Sequence, residues 1–232
     1  MKSPLSLPAS VEERLSGWAR IQERHLLAPA PAKSGPTITL SRAYGCEGFP
    51  LALRLQELLD VGGGPWQIFD KALLEKVSQD EGISLRLLND LGDASRSLEA
   101  YGFRPRGAVT HDQAFAKVAE TLLKVAHQGH AIIVGRGGAI LCRDLANAFH
   151  FRLEASEAWR MASLMRRSGA SREEAEKLVT TEQKGRNHFL KERLDADVSD
   201  PGHYDAVFNN EHHGVEQIAA AIVAYVRSSA RG

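Results

Sequence analysis

The sequence predicts an α/β fold with three layers, in which helices cover both faces of a parallel β-sheet. Short runs of β-branched and other apolar residues alternate along the chain with longer segments of helical periodicity. Two of the short runs end in glycine-bearing turns that lead directly into a helix, as the strands of a parallel sheet do. With 232 residues, the chain has room for one large domain or two small ones.

The N-terminal segment is predicted to be a helix over residues 9–27. Ser10 and Glu13 have the spacing of a capping box at its start, and apolar residues recur on one face. The run APAPAKSGP that follows has the composition of a linker. We therefore expect residues 1–36 to be an appendage that packs on the core or on a second subunit, and a homodimer is one expectation.

The sheet domain is predicted over residues 37–232, where strand and helix patterns alternate. The predicted strands are 37–41, 66–70, 131–134, 148–155 and 204–210. The predicted helices are 50–59, 71–79, 84–98, 111–129, 156–167, 171–194 and 214–227. Because helices separate the consecutive strands, the strands are expected to pair in parallel.

Charge and composition exclude several classes of partner. The 29 basic and 29 acidic residues balance, so the chain has no overall field that attracts nucleic acid. No apolar run is long enough to span a membrane, and the N-terminus lacks the apolar stretch of a secretory signal. The two cysteines, Cys46 and Cys142, do not make a disulfide framework. The sequence therefore predicts a cytoplasmic protein whose partners are neither nucleic acids nor membranes.

Residues 42–49, RAYGCEGF, connect the first predicted strand to its helix in the manner of a phosphate-binding loop. Gly45 and Gly48 would let the backbone approach a phosphate without a Cβ in the way. The following helix N-terminus offers backbone N–H groups and the positive end of a dipole. Arg42, just before the turn, is the nearest cation.

The same loop lacks the two side chains for which phosphate loops are best known. Phe49 and Pro50 stand where Lys and Ser or Thr would follow the last glycine, and Glu47 adds a negative charge. Two interpretations therefore stay open from these residues alone. The segment is either a phosphate site or an ordinary connection between a strand and a helix.

A second glycine turn follows the predicted strand 131–134, in the sequence IIVGRGG. Gly135, Arg136 and Gly137 form this turn, and an arginine at the carboxyl end of a strand can bind a phosphate with two parallel hydrogen bonds. The alternative is a glycine-rich turn with a surface arginine. Two turns of this type in one sheet favour a functional role.

The long predicted helix 171–194 carries two arginines on its apolar side. Arg186 and Arg193 are two turns apart and share a face with Ala175 and Val179. A charge that continues an apolar face needs a partner, either a carboxylate or a substrate phosphate. Gly185 is a candidate hinge for a moving lid. The opposite, solvated face is predicted to carry Lys177, Lys184 and Lys191.

The chain resembles the cytidylate kinase-like family, a branch of the nucleoside monophosphate kinases. The resemblance covers about residues 37–226, and it rests on the order and spacing of ITLSRAYGCEG, AIIVGRGG, FRLEASEAWRMASLMRR and EQKGRNHFLKERLDADVSDPGHYDAVFNN. It implies a P-loop kinase fold with a helical monophosphate-binding insertion, about 71–110, and a lid, about 180–203. The implied activity transfers the γ-phosphoryl group of ATP to CMP or dCMP with the help of Mg²⁺.

The resemblance also implies roles for individual residues. The loop would hold the phosphates of ATP, Arg136 would bind the acceptor phosphate, and two arginines of the lid would stabilise charge during transfer. The catalytic residues implied are Arg136, Arg186 and Arg193. The nucleotide- and phosphate-binding residues implied are Arg42, Gly45, Cys46, Gly48, Asp70, Gly135 and Gly137.

Three functions stay open at the level of sequence. The first is an active nucleoside monophosphate kinase with a variant loop. The second is a pseudokinase that binds a nucleotide or a phosphorylated metabolite without turnover and acts as a regulator or partner. The third, an unrelated structural α/β domain, requires both glycine turns and the lid arginines to be accidental.

Overall fold

The structure, a computed structural model, describes residue 10 and residues 35–63, 65–73, 111–135 and 137–229. The chain divides into two compact units, one of residues 1–33 and 71–124 and the other of residues 34–70 and 125–232. The predicted segments 9–27 and 84–98 and most of the predicted helix 71–79 lie outside the described residues.

Five strands and six α-helices make up the described part of the chain. The strands are β1 (Thr37–Arg42), β2 (Gln67–Phe69), β3 (Ala131–Val134), β4 (Ala148–Glu154) and β5 (Ala206–Asn209). The helices are α1 (Gly48–Gly63), α2 (His111–Gln128), α3 (Gly138–Leu141), α4 (Glu157–Ser168), α5 (Arg172–Leu194) and α6 (Val215–Ser229), with a 3-10 turn over Pro201–His203. No described helix combines the length and the apolar character needed to cross a bilayer.

The five strands form one parallel sheet, as predicted, and their order across the sheet is β2-β3-β1-β4-β5. The central strand β1 pairs with β3 on one side and with β4 on the other, so that Leu40 lies between Val134 and Phe151. After β1 the chain continues to β2, which lies on one side of β1. After β3 it continues to β4, which lies on the other side of β1. This change of direction opens a crevice at the carboxyl ends of β1 and β3, where ligands bind in sheets of this type.

One face of the sheet is apolar and is covered by α1 and α6. Alternate residues of β1 and β4 point into this core, including the fully buried Ile38, Leu40 and Phe151. Leu55 of α1 and Ile222 of α6 are also fully buried in it. Each such side chain contributes about 1.5–3 kcal/mol relative to exposure, so this core holds β1 and its loop in place.

The other face carries polar residues of the same strands, with α3 packed above β1 and β4. The Thr39 hydroxyl lies 2.8 Å from Nδ1 of its cross-strand neighbour His150. The backbone N–H of His150 donates to Asp205 Oδ2 at 2.6 Å. Burial lowers the pKa of His150, although the Asp205 carboxylate acts in the opposite direction. His150 is therefore held as a neutral ring inside the fold.

The low pKa of His150 gives protein stability a pH dependence of defined sign. The folded chain binds the His150 proton less tightly than the unfolded chain, in which the ordinary value is 6.5, so protonation favours unfolding. The free energy of unfolding is expected to be retained above about pH 6.5 and to fall as the pH decreases below it. Urea unfolding between about pH 7.5 and about pH 5.5 measures this change.

Two variants separate His150 from the other histidines. His150→Gln keeps an amide that can bond the Thr39 hydroxyl and cannot titrate, so its stability is expected to fall less steeply with decreasing pH. His212→Gln, in an exposed turn, is the control and is expected to keep the wild-type slope. Equal slopes in His150→Gln and the wild type would show that another group supplies the dependence.

Candidate functional site

The loop between β1 and α1 is shaped by a close approach of helix α4. The Ala43 N–H donates to the Leu153 carbonyl at 3.0 Å and so extends the pairing of β1 with β4. Gly45 follows with φ of 98°, and a Cβ at this position would lie 2.8 Å from the Arg160 carbonyl oxygen. A glycine is therefore required at position 45 both for the backbone conformation and for the packing of α4.

Two arginines of α4 bind the loop carbonyls. Arg160 Nη1 donates to the Tyr44 carbonyl at 3.0 Å, and Arg167 Nη2 donates to the Gly45 carbonyl at 2.6 Å. In a trans peptide the C=O and the following N–H point in opposite directions. The contact on the Tyr44 carbonyl therefore turns the Gly45 N–H away from α4.

Sequence reasoning missed Arg160 and Arg167, although a signal for them existed. They are two helical turns apart in α4 and so lie on one face. The same spacing had identified the arginines of α5. The spacing does not identify the partners of these arginines, because the partners are main-chain carbonyls and every residue has one.

Two amide side chains bind N–H groups of the loop. Gln183 Oε1 of α5 accepts from the Tyr44 N–H at 2.7 Å. Asn210 Oδ1 accepts from the Glu47 N–H at 2.8 Å, and Asn210 is itself only 2% exposed. Neither amide residue was singled out from the sequence.

Some loop N–H groups are left for an anion. The Cys46 N–H donates within the loop to the Ala43 carbonyl at 3.2 Å. Within the part of the chain that the structure describes, the N–H groups of Gly45 and Gly48 meet no hydrogen-bond acceptor. These two predicted positions are therefore the loop donors that a phosphate oxygen could use without displacing a protein group.

The Cys46 side chain lies on the inner side of the loop. It is 6% exposed and packs in the apolar core beneath α1. Burial, and then the negative charge of Glu154, raise the pKa of Cys46 to about 12, although nearby arginines oppose the shift. The thiol is therefore protonated at neutral pH and does not act as a nucleophile.

Arg42 connects the two predicted glycine turns. A Cβ on Gly135 would lie 2.0 Å from Arg42 Nη1, and a Cβ on Gly48 would lie 3.1 Å from Arg42 Cδ. The guanidinium therefore lies against the backbone of Gly135, which has φ of 80°. The structure thus brings Arg42, Gly48 and Gly135 together at the carboxyl ends of β1 and β3, whereas Arg136 lies outside the described residues.

Helix α5 reaches both turns. The Arg186 guanidinium lies 4.6 Å from the centre of the Tyr44 ring, a distance at which a cation is attracted to an aromatic face. Near the other end of α5, a Cβ on Gly137 would lie 2.5 Å from Leu194 Cδ1, so glycine permits this contact. Arg193 is half-buried next to Leu194.

The predicted faces of α5 are as expected. Ala175 and Val179 are buried. The helix runs without interruption through Gly185, so that residue does not end a helical segment. The exposed face carries the three predicted lysines, Lys177, Lys184 and Lys191.

Asp70 also lies where the strands have their carboxyl ends, but further from β1. It follows directly after β2, which is separated from β1 by β3. At the usual spacing between strands, the ends of β1 and β2 are about 10 Å apart. Asp70 is half-buried, and a ligand bound at the end of β1 would have to extend past β3 to reach it.

An ion pair between a buried arginine and a partly exposed glutamate lies at the end of β4. Arg152 is 5% exposed, and its Nε donates to Glu154 Oε1 at 2.6 Å. Its guanidinium also lies 5.6 Å from the centre of the Tyr204 ring. Because a buried charge is costly without a partner, this pairing keeps the Arg152 charge within the fold.

The described residues fit a phosphate group better than a metal ion held by protein alone. They contain no cluster of three His, Cys, Asp or Glu side chains that could hold a metal ion. Glu47 of the loop is a carboxylate that could contribute one ligand. Mg²⁺ is commonly held by one or two carboxylates and by substrate phosphates. Such an ion would therefore arrive mainly on the phosphates of its nucleotide.

A glycine loop that leads from the central strand of a parallel sheet into a helix defines an α/β fold of the phosphate-binding type. Within that class the assignment is specific, because the model of the cytidylate kinase-like family matches residues 37–212. The chain therefore belongs to the cytidylate kinase-like family, which confirms the resemblance seen in the sequence.

Two solved structures match most of the chain. An uncharacterized protein from Eubacterium ventriosum is 18% identical with a TM-score of 0.66, over 84% of this chain and 99% of that chain. A protein from Thermus thermophilus is also 18% identical, over 83% of this chain and 98% of that chain, with a TM-score of 0.40. No curated protein matches the chain. The first of these structures supports the α/β fold, and the fold alone.

The packing of α4 on the loop predicts a specific cost for Gly45→Ala. This substitution strains a positive φ and also places a Cβ against the Arg160 backbone, whereas Gly169→Ala strains a positive φ of 72° with no atom within 4 Å. Gly45→Ala is expected to lower the free energy of unfolding by about 1–3 kcal/mol more than Gly169→Ala, which is the usual cost of overpacking. Urea unfolding of both variants measures the difference. Equal losses would mean that α4 does not press on the loop.

Proposed function

We propose that this chain transfers the γ-phosphoryl group of ATP to a (d)CMP-type nucleoside monophosphate. The observation that carries the proposal is the position of the arginines. Arg42 lies between the two glycine turns, and α5 carries Arg186 to the first turn and Arg193 to the neighbourhood of the second. Phosphoryl transfer depends mainly on positioning and on positive charge, and this arrangement offers both.

Each part of the site has a role in the proposal. The N–H groups of Gly45 and Gly48 donate to phosphate oxygens of ATP, and Arg42 supplies a fixed charge beside them. Arg186 and Arg193 stabilise the charge that develops during transfer, and Arg136 binds the acceptor phosphate as the family resemblance implies. Mg²⁺, when bound with ATP, neutralises the β- and γ-phosphates. Cys46, Asp70, Gly135 and Gly137 complete the proposed binding residues.

The proposal extends to the organisation of the chain. Residues 71–110 form the proposed acceptor-binding insertion, and residues 180–203 form the proposed lid. The proposed compartment is the cytoplasm, and the proposed partners are nucleotides and, in a homodimer, a second copy of the chain.

A pseudokinase is the second candidate, and one observation favours it. The loop has no lysine, and two of its N–H groups already bind Gln183 and Asn210. A loop satisfied in this way binds phosphate less readily than one whose donors are all available. In this alternative, the chain binds a nucleotide or a phosphorylated metabolite without turnover and acts as a regulator or interaction partner.

The arginines of α5 provide the test of the enzymatic proposal. Arg186→Ala and Arg193→Ala are each expected to lower kcat by about 10³-fold or more, the effect of removing an arginine that stabilises the transferring group. ADP release with ATP, Mg²⁺ and a panel of nucleoside monophosphates measures this. Lys184→Ala, on the exposed face of the same helix, is the matched control and is expected to retain activity.

The outcomes separate the candidates. Full activity in both arginine variants would show that these residues are wrongly assigned. If the wild type forms no product, isothermal titration with ATP·Mg²⁺ and with CMP decides between the remaining possibilities. Binding without turnover supports the pseudokinase, whereas binding of neither nucleotide removes both functions and leaves the fold.

A further inference from the structure

Gln183 links the proposed lid helix α5 to the backbone of the first glycine loop. Its Oε1 accepts from the Tyr44 N–H at 2.7 Å, and its Nε2 donates to Asn187 Oδ1 at 2.8 Å. The first bond sets the orientation of the amide, because a flipped amide would place its NH₂ group against the Tyr44 N–H. A neutral oxygen from α5 therefore occupies one donor of the loop.

The contact made by Gln183 is more easily exchanged than the one made by Asn210. Asn210 is 2% exposed, and its own N–H also donates to the Glu154 carbonyl at 2.7 Å, so it is a fixed part of the core. Gln183 is half-buried on a helix whose next residue, Lys184, is exposed. A side chain in such a position can change rotamer without exposing apolar core.

A phosphate oxygen and the Gln183 oxygen compete for the same donor. A backbone N–H has one hydrogen to donate. A charged phosphate oxygen accepts a stronger hydrogen bond than a neutral amide oxygen. The Tyr44 N–H adjoins the Gly45 N–H, which meets no acceptor among the described residues, so both donors are close to the place proposed for the nucleotide phosphates.

We infer that Gln183 is a positioning residue that sets the affinity of the 42–49 loop for nucleotide phosphate by occupying the Tyr44 N–H until a phosphate displaces it. The inference rests on the proposed nucleotide site. It adds to that site a side chain, Gln183 of the proposed lid helix α5, that competes with phosphate for a loop N–H.

The same exchange couples the loop to the lid arginine. Arg186 follows Gln183 by one turn of α5, and its guanidinium lies 4.6 Å from the centre of the Tyr44 ring. Tyr44 is thus held by α5 at its N–H and at its ring. When phosphate displaces Gln183, the contact of the Arg186 guanidinium with the Tyr44 ring still links α5 to the loop.

Three variants test the inference by isothermal titration of the full chain with ATP and Mg²⁺. Gln183→Ala removes the competitor and is expected to bind ATP about 2- to 10-fold more tightly, the range that corresponds to one neutral hydrogen bond. Gln183→Glu keeps the acceptor and adds a negative charge, so it is expected to bind ATP about fivefold more weakly. Thr180→Ala is the control, because the Thr180 hydroxyl bonds the Glu176 carbonyl of its own helix at 2.9 Å.

Hydrogen exchange at the Tyr44 amide provides a second measurement that needs no turnover. Without nucleotide, this amide is expected to exchange faster in Gln183→Ala than in the wild type or in Thr180→Ala. With ATP and Mg²⁺, the amide is expected to be protected in Gln183→Ala as well, because the phosphate replaces the missing acceptor.

The outcomes distinguish this inference from the proposed function. Tighter binding by Gln183→Ala, or binding by Gln183→Ala when the wild type binds no ATP, supports the inference. Equal or weaker binding by Gln183→Ala, with a wild type that binds ATP, overturns the inference and leaves the proposed function intact. If none of the proteins binds ATP, the proposed function fails and the inference fails with it.

Discussion

The packing of helix α4 on the loop after β1 is the constraint on which the rest of the site depends. Gly45 permits the contact, since a Cβ there would collide with the Arg160 backbone. Arg160 and Arg167 then bind the two adjacent carbonyls of the loop. Because the peptide unit is planar, binding a carbonyl also fixes the direction of the N–H on the other side. The direction in which the loop can accept an anion is therefore set by α4, which does not itself need to touch the anion.

Local charge in this protein differs from its overall charge. The chain as a whole has a formal net charge of zero at pH 7. Several arginines of β1, β4, α4 and α5 nevertheless lie near the carboxyl ends of the strands. Some of them are committed to the fold, as Arg152 is to Glu154. Arg42 lies at the second turn, where its guanidinium is placed against the backbone of Gly135. A charge in that position can serve a phosphate in a loop that has no lysine.

The loop also shows how a binding site and a folded structure compete for the same atoms. Every backbone N–H of a buried loop needs an acceptor, and a protein group that provides one stabilises the loop without ligand. Asn210 and Gln183 do this at two positions. The cost is that a ligand must displace a protein group in order to use that donor. The loop donors that stay open to a ligand are therefore set by side chains that need not touch that ligand.

Local patterns were enough to predict most of the described architecture. All five strands and the parallel sheet were foreseen, because alternation of short apolar runs with helical segments depends only on neighbouring residues. The helix predicted over 171–194 is observed as Arg172–Leu194, with a capping box of Ser171 and Glu174 at its start, and its buried and exposed faces followed from the helical period. The helix continues through Gly185, because a single glycine in a long helix costs only about 1 kcal/mol and packing can supply that amount.

The sequence by itself determined the order of strands and helices, the two glycine turns, the face that carries Arg186 and Arg193, and the family. Only the tertiary structure decided which groups meet in the loop. The Tyr44 N–H and its acceptor Gln183 are 139 residues apart, and the Glu47 N–H and Asn210 are 163 apart. Such contacts join a side chain to a main-chain N–H group. Because nearly every residue has this group, no pattern of residue types in the sequence predicts which one will be bound. They exist because β1, α5 and the end of β5 reach the same edge of the sheet.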